Sequence, residues 1–173
     1  MNNAHPAADQ NPDIDFDTFQ GFPKIPRMFR QVIVTEKIDG TNAQVIISAD
    51  GQRIRAASRN RFITPEADNF GFARWVHENR DELIALGPGR HFGEWWGAGI
   101  QRRYNLDHKR FSLFNTLRWN GGNPPPSCCG VVPVLYDGLM SETSIRESMS
   151  MLAAEGSVAS PGFMNPEGVV VFH

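Results

Sequence analysis

The chain has 173 residues, of which 40% are hydrophobic, a size and composition typical of one globular domain with its own core. Its 17 Lys and Arg residues nearly balance its 19 Asp and Glu residues, and the net charge of −2 excludes a histone-like polycation. The composition also excludes collagen and a coiled coil. A disulfide scaffold is excluded because the only cysteines are the neighbours Cys128 and Cys129.

The N-terminal half of the sequence predicts a loose segment followed by short strands and one helix. Residues 1–18 are acidic and poor in apolar residues, which predicts a flexible arm, and residues 19–173 would form the domain. Apolar stretches predict strands over 31–35, 42–48 and 53–57, with Asp50-Gly51 as the turn between the last two. The following helix is expected to begin at Thr64-Pro65-Glu66 and to bury an apolar stripe made of Phe72, Trp75, Val76, Leu83 and Leu86.

The C-terminal half predicts further strands and a second helix. Strands are expected over 90–96, 111–117 and, as a buried strand, 131–136, with a surface loop over 120–130. A capping box formed by Ser144 and Glu147 predicts the second helix, which would end at Gly156 and bury Ile145, Met149, Leu152 and Ala153. A last strand is predicted over 167–172. This pattern indicates an α+β fold in which antiparallel sheets are flanked by helices.

One segment indicates chemistry, the sequence Thr-Glu-Lys-Ile-Asp-Gly-Thr-Asn between two predicted strands, with Lys37 as its third residue. A lysine in a turn is ordinarily a solvated surface residue. Here two acids bracket the lysine, and the following Gly-Thr-Asn lets the backbone approach a ligand closely. A lysine amine can act as a covalent nucleophile when its charged form is destabilised. The sequence contains no Walker A or dinucleotide-binding motif, and its five histidines have no metal-ligand spacing.

Lys37-Ile38-Asp39-Gly40 resembles the nucleophile motif of the covalent nucleotidyltransferases, which comprise DNA ligases, RNA ligases and mRNA capping enzymes. Four further segments resemble the family's motifs in the same order: Ser58-Arg59-Asn60, residues 92–101, residues 111–115 and residues 166–171. The Glu-Trp-x-Gly-x-Gly-Ile-Gln form of residues 94–101 is most similar to RNA ligases of the phage double-strand-sealing type. The resemblance implies a nucleotidyltransferase (ATP-grasp-like) fold that holds the nucleotide between two antiparallel sheets.

The resemblance also implies a reaction. Lys37 would attack the α-phosphate of ATP to give lysyl-AMP and pyrophosphate. AMP would then pass to the 5′-phosphate of an RNA end, and an RNA 3′-hydroxyl would displace it, as in RNA repair. ATP and Mg²⁺ are the implied cofactors, with Glu94 and Glu167 at the metal. The residues implied to bind the nucleotide are Glu36, Asn42, Arg59, Glu94, Phe114 and Glu167.

Several of these residues also have a plainer interpretation. Glu94 could be a surface acid, Phe114 a core residue, and Asp39 part of a structural turn. The arginines that could contact RNA phosphates could equally form a solvated face: Arg53, Arg55, Arg61, Arg102 and Arg103.

The end of the sequence departs from the family pattern. The family places one or two α-phosphate-contacting lysines on a strand shortly after the fourth motif, but the sequence ends six residues after Glu167 and has no lysine after Lys109. The expected domain therefore lacks the fifth motif and any C-terminal domain. The alternatives are a truncated or catalytically impaired member that binds nucleotide or RNA, or a DNA ligase or capping-type enzyme. The absence of a signal peptide and of an apolar run long enough to span a membrane predicts a cytoplasmic location.

Overall fold

Nine strands, three α-helices and two short 3-10 helices make up the structure, a computed structural model that describes residues 30–173. The predicted arm over residues 1–18 lies outside this part of the chain. In chain order the strands are β1 (Gln31–Lys37), β2 (Thr41–Ile47), β3 (Ile54–Ser58), β4 (Phe62–Ile63), β5 (Gly89–Gly97), β6 (Lys109–Leu113), β7 (Cys129–Val131), β8 (Val134–Leu139) and β9 (Gly168–Phe172). The α-helices are α1 (Phe72–Glu78), α2 (Arg80–Leu83) and α3 (Glu142–Glu155).

The strands form two sheets, and the chain crosses between them twice near the site described below. The smaller sheet has the order β8-β1-β9 and the larger one the order β4-β3-β2-β5-β6-β7. All neighbouring strands are antiparallel except β6 and β7, which run parallel. The expected α+β class, with antiparallel sheets and few helices, is therefore confirmed.

The larger sheet covers the main core. Alternate side chains of β2, at Ala43, Val45 and Ile47, are buried against the helical layer because a strand presents every second residue to one face. Phe72 of α1 lies at the centre of this core, with its ring centroid 5.4 Å from that of Trp95 and 5.1 Å from that of Phe111. The predicted apolar stripe from Phe72 to Leu86 is confirmed as core, with Trp75 packed against it as a partly buried member.

The predicted start of the first helix at Thr64 is wrong. The Thr64 hydroxyl oxygen instead accepts a hydrogen bond from the Ala67 amide at 3.3 Å, which closes a local turn. The helix begins eight residues later, where the Asp68 carboxylate accepts hydrogen bonds from the backbone amides of Ala73 at 2.7 Å and Arg74 at 3.1 Å. These amides lie in the first turn of the helix, where they have no backbone partner, so Asp68 satisfies them.

The second predicted helix is present as α3, but its cap and its buried face differ from the prediction. The hydroxyl oxygen of Ser141, not of Ser144, accepts the hydrogen bond from the first turn, at 3.0 Å from the Ser144 amide. The buried positions are Ser144, Ser148 and Leu152, whereas Met149 is 52% exposed. Each buried serine hydroxyl donates to a backbone carbonyl, so burial of a polar side chain leaves no unpaired group here.

The predicted strand over residues 131–136 is two strands in different sheets. β7 pairs with β6 in the larger sheet and β8 pairs with β1 in the smaller sheet, so Val132-Pro133 carries the chain from one sheet to the other. None of the residues of β8 is buried, so the prediction of a buried strand is wrong for this part of the segment. The predicted strand over 111–117 ends at Leu113, so Phe114 lies just beyond it.

No helix within residues 30–173 is both long enough and apolar enough to cross a membrane.

Candidate active site

A cleft of about 440 Å³ opens where the end of β1 meets the larger sheet, and its volume is typical of small-molecule sites. It brings together residues that lie far apart in the sequence. Those that the sequence predicted for the nucleotide, and that line this cleft, are Glu36, Lys37, Asn42, Arg59, Glu94, Phe114 and Glu167.

Lys37 is the last residue of β1, not part of a turn as the sequence suggested. Its side chain is 47% exposed, and its ammonium group forms an ion pair with the Glu167 carboxylate. The strand register explains this pair, because Lys37 lies opposite Gly168, the residue after Glu167. The next three residues carry the chain into β2 of the larger sheet, so the amine stands at the junction of the two sheets.

Glu94 faces Lys37 from the other sheet. It lies opposite Asn42 in the β2–β5 pairing, and its carboxylate accepts hydrogen bonds from the Asn42 side-chain amide at 3.0 Å and the Gly40 backbone amide at 3.1 Å. The residue is only 7% exposed. Burial therefore raises the pKa of Glu94 to about 7, although these hydrogen bonds and the Lys37 charge act in the opposite direction. A cation placed beside this carboxylate would favour its ionised form.

Glu36 borders the cleft, but its carboxylate has other partners. The side chains of successive strand residues point to opposite faces, so Glu36 points away from the face of Lys37. The residue is 1% exposed, and its carboxylate accepts hydrogen bonds from the Ser157 hydroxyl at 2.6 Å and from the backbone amides of Val158 at 2.8 Å and Ala159 at 2.9 Å. This carboxylate therefore anchors the loop that follows α3, and its part in nucleotide binding stays a prediction.

Replacing Glu36 with alanine is expected to lower the free energy of unfolding by about 1–3 kcal/mol, because one buried hydroxyl and two partly buried amides would lose their acceptor. Urea denaturation of the variant measures this loss. The exposed Glu147 of α3 provides the control, since its replacement by alanine should change stability by no more than about 0.5 kcal/mol. Equal stability of the two variants would contradict the anchoring role.

The arginines predicted to contact RNA do not share one location. Arg55 lies over the Phe62 ring, 4.9 Å from its centroid, at a pocket separate from the cleft that the nucleotide-binding candidate Arg59 lines. Arg61 is exposed and donates to the Ala67 carbonyl at 3.3 Å, and Arg53 is exposed before β3. RNA binding by these residues stays a prediction.

The other two arginines lie in the loop after β5. Arg103 is exposed, whereas Arg102 donates to the Asp39 carboxylate at 2.8 Å and to the Asn165 carbonyl at 3.1 Å. The guanidinium of Arg102 is thus engaged with the protein itself. The ion pair also gives Asp39 a partner that the sequence did not reveal.

The cleft includes residues that sequence reasoning missed. Val170 of β9 lines it beside Phe114, and the same two side chains also border an adjacent apolar groove of about 540 Å³. Thr41 and Val132 line the cleft as well. Strand periodicity could have indicated the alternate positions of β9, but no local pattern marks Val132, which reaches the cleft only because the chain changes sheets there.

The acidic residues of the cleft fit a divalent cation that is shared with a phosphate group. Within residues 30–173, no three His, Cys, Asp or Glu side chains are grouped so that they could hold a metal ion by themselves. Glu94 and Glu167 nevertheless both line the cleft, and the negative charge of Glu167 contributes to the raised pKa of Glu94. One or two carboxylates, completed by phosphate oxygens and water, are a usual donor set for Mg²⁺.

Comparison with known families agrees with this geometry. A sequence model described as RNA ligase matches residues 30–171, which is most of the chain. The chain belongs to the RNA ligase family. A comparison of the chain with curated proteins gave no match.

Solved RNA ligases from Naegleria gruberi share its fold. An apo mutant has a TM-score of 0.58 at 21% identity, and the matched region covers 82% of this chain and 45% of the mutant's chain. A mutant with ATP and Mn has a TM-score of 0.56 at 20% identity, with 82% and 45% coverage. A third mutant, with AMP and Mn, has a TM-score of 0.55 at 19% identity, with 83% and 46% coverage. This RNA ligase family member therefore spans slightly less than half the length of these solved chains.

Proposed function

We propose that this chain is the adenylyltransferase domain of an ATP-dependent RNA ligase and that Lys37 carries AMP covalently. The observation that carries the proposal is the position of the Lys37 amine, at the mouth of a cleft between two sheets and next to carboxylates from both sides. Membership of the RNA ligase family, and the ATP and AMP bound by the solved Naegleria gruberi ligases, support ATP as the nucleotide.

The first step would join the Lys37 nitrogen to the α-phosphorus of ATP and release pyrophosphate. The amine must lose a proton to attack, and the Glu167 carboxylate that contacts Nζ is the adjacent acceptor. Arg59 and Asn42 line the same cleft and supply donors for the sugar and phosphate oxygens, while the exposed ring of Phe114 offers a face on which the base can stack.

A divalent cation fits the same arrangement, and we propose Mg²⁺ held by Glu94 and Glu167 together with phosphate oxygens. When bound, it would neutralise the charge that develops on the phosphates during transfer. The manganese in the solved relatives supports a divalent ion at this kind of site. Transfer of AMP to a 5′-phosphate RNA end and sealing by a 3′-hydroxyl are proposed for the whole protein, and its cytoplasmic location stays a prediction.

Intact-mass spectrometry tests this function. Incubation with ATP and Mg²⁺ is expected to add the mass of one AMP, whereas GTP with Mg²⁺, or ATP with a chelator, should add nothing. A 5′-phosphate RNA should then discharge the adduct, and the matching 5′-hydroxyl RNA should not. ATP binding by calorimetry without any adduct would instead indicate a nucleotide-binding member without catalysis, and a GMP adduct would indicate a capping-type enzyme.

A further inference from the structure

The loop after β5 is held in an unusual backbone conformation. Four of its non-glycine residues have positive φ angles, namely Gln101 at 40°, Arg103 at 62°, Tyr104 at 51° and Asn105 at 55°. Such angles are unfavourable for residues with a Cβ atom, and they persist only where surrounding contacts fix them. The loop is therefore maintained by its interactions and not by local preference.

Tyr104 supplies many of these interactions. The residue is fully buried, and its ring packs against Trp96 and Phe163 at centroid distances of 5.0 and 4.6 Å. Its backbone carbonyl accepts a hydrogen bond from the Ser160 hydroxyl at 2.8 Å, and its phenol oxygen accepts one from the Asp39 amide at 2.8 Å. The buried tyrosine thus fixes the loop to the segment that follows Lys37.

Arg102, within the same loop, joins the two segments that carry the reacting groups. Its Nε donates to the Asp39 carboxylate at 2.8 Å, and its Nη1 donates to the Asn165 carbonyl at 3.1 Å. Asp39 lies two residues after Lys37, and Asn165 lies two residues before Glu167. Arg102 itself is not among the residues that line the cleft, whereas its partner Asp39 is.

We propose that Arg102 is a positioning residue that sets the Lys37 amine against the Glu167 carboxylate by bracing the segments on either side of them. This inference rests on the proposed adenylylation of Lys37. A planar guanidinium with several donors suits this task, because it can bind a carboxylate and a carbonyl in one fixed geometry. Small misplacements of reacting groups can cost about a hundredfold in rate, so loss of the brace should act mainly on the chemical step.

The test compares single-turnover adenylylation of wild type, Arg102→Ala and Arg146→Ala over a range of ATP concentrations. Arg146 is an exposed arginine on α3 with one surface ion pair, and its replacement should leave the rate unchanged. Arg102→Ala is expected to lower the maximal rate about tenfold to hundredfold and to change the half-saturating ATP concentration less than threefold. Rates are normalised to the folded fraction, which is measured by circular dichroism.

A double-mutant cycle with Asp39→Ala tests whether Arg102 acts through Asp39. The combined variant should be no more than about twofold slower than the slower single variant, since removal of one partner already releases the brace. A normalised Arg102→Ala rate within twofold of wild type, a loss confined to ATP affinity, or fully additive effects would each overturn the proposal. If wild-type protein forms no adduct at all, the proposed function fails instead, which separates the two failures.

Discussion

Replacing Lys37 with alanine is expected to lower formation of the AMP adduct by about a thousandfold or more, because the variant has no amine to form the bond to phosphorus. The fold should survive, since the side chain is 47% exposed and its surface ion pair contributes about 1 kcal/mol or less. Intact-mass spectrometry after incubation with ATP and Mg²⁺ measures the adduct, and thermal denaturation checks the fold.

Lys109→Ala is the matched control for that substitution. Lys109 is an exposed lysine at the start of β6, and it does not line the cleft. The control variant should gain AMP as the wild type does. Equal gains by the Lys37 and Lys109 variants would remove Lys37 from its proposed role.

Replacing Gly40 with alanine is expected to abolish adenylylation and to lower the free energy of unfolding by about 1–3 kcal/mol. A Cβ atom at this position would lie 2.5 Å from the Trp95 carbonyl oxygen, 2.7 Å from Cβ of Trp96 and 3.1 Å from Cγ of Glu94. The carbonyl belongs to the backbone of β5, so the contact cannot be relieved by turning a side chain. The segment after Lys37 must therefore move away from Glu94, and the Gly40 amide would lose its hydrogen bond to that carboxylate.

Gly121→Ala controls for the general effect of adding a methyl group. A Cβ atom at Gly121 would meet nothing within 4 Å, so its stability should stay within about 0.5 kcal/mol of wild type and its adduct yield should be unchanged. Urea denaturation and intact mass on both variants provide the comparison. A Gly40→Ala protein with wild-type adduct yield would show that the close approach of this turn to β5 is not required.

Local patterns were sufficient to predict most of the strands and the nucleophile segment. Period-two burial in β2 and the turn at Asp50-Gly51 follow from neighbouring residues, and the structure pairs β2 with β3 as that turn requires. The likeness of five short segments to family motifs anticipated a cleft that contains Lys37, Arg59 and Glu94. These residues share a cleft as expected, although their individual roles stay predictions.

Interactions across long stretches of sequence could not be predicted in this way. Glu36 precedes its partner Ser157 by 121 residues, and Asp39 precedes Arg102 by 63, so no periodicity links either pair. The predicted starts of the two helices were wrong for a related reason. Thr64 and Ser144 both carry good capping side chains, but Asp68 and Ser141 provide the bonds because the surrounding packing decides where each helix begins.

The change of sheet between Lys37 and Thr41 has a consequence for the proposed adenylylation. The Lys37 amine belongs to the three-stranded sheet and Glu94 to the six-stranded sheet, and residues 38–40 are one of the two chain segments that connect these sheets. The distance between the two side chains therefore depends on how firmly the two sheets pack together as well as on the pairing within each sheet. Mild denaturant that loosens the contact between the sheets is therefore expected to stop formation of the AMP adduct, while both sheets still give the circular dichroism signal of folded protein.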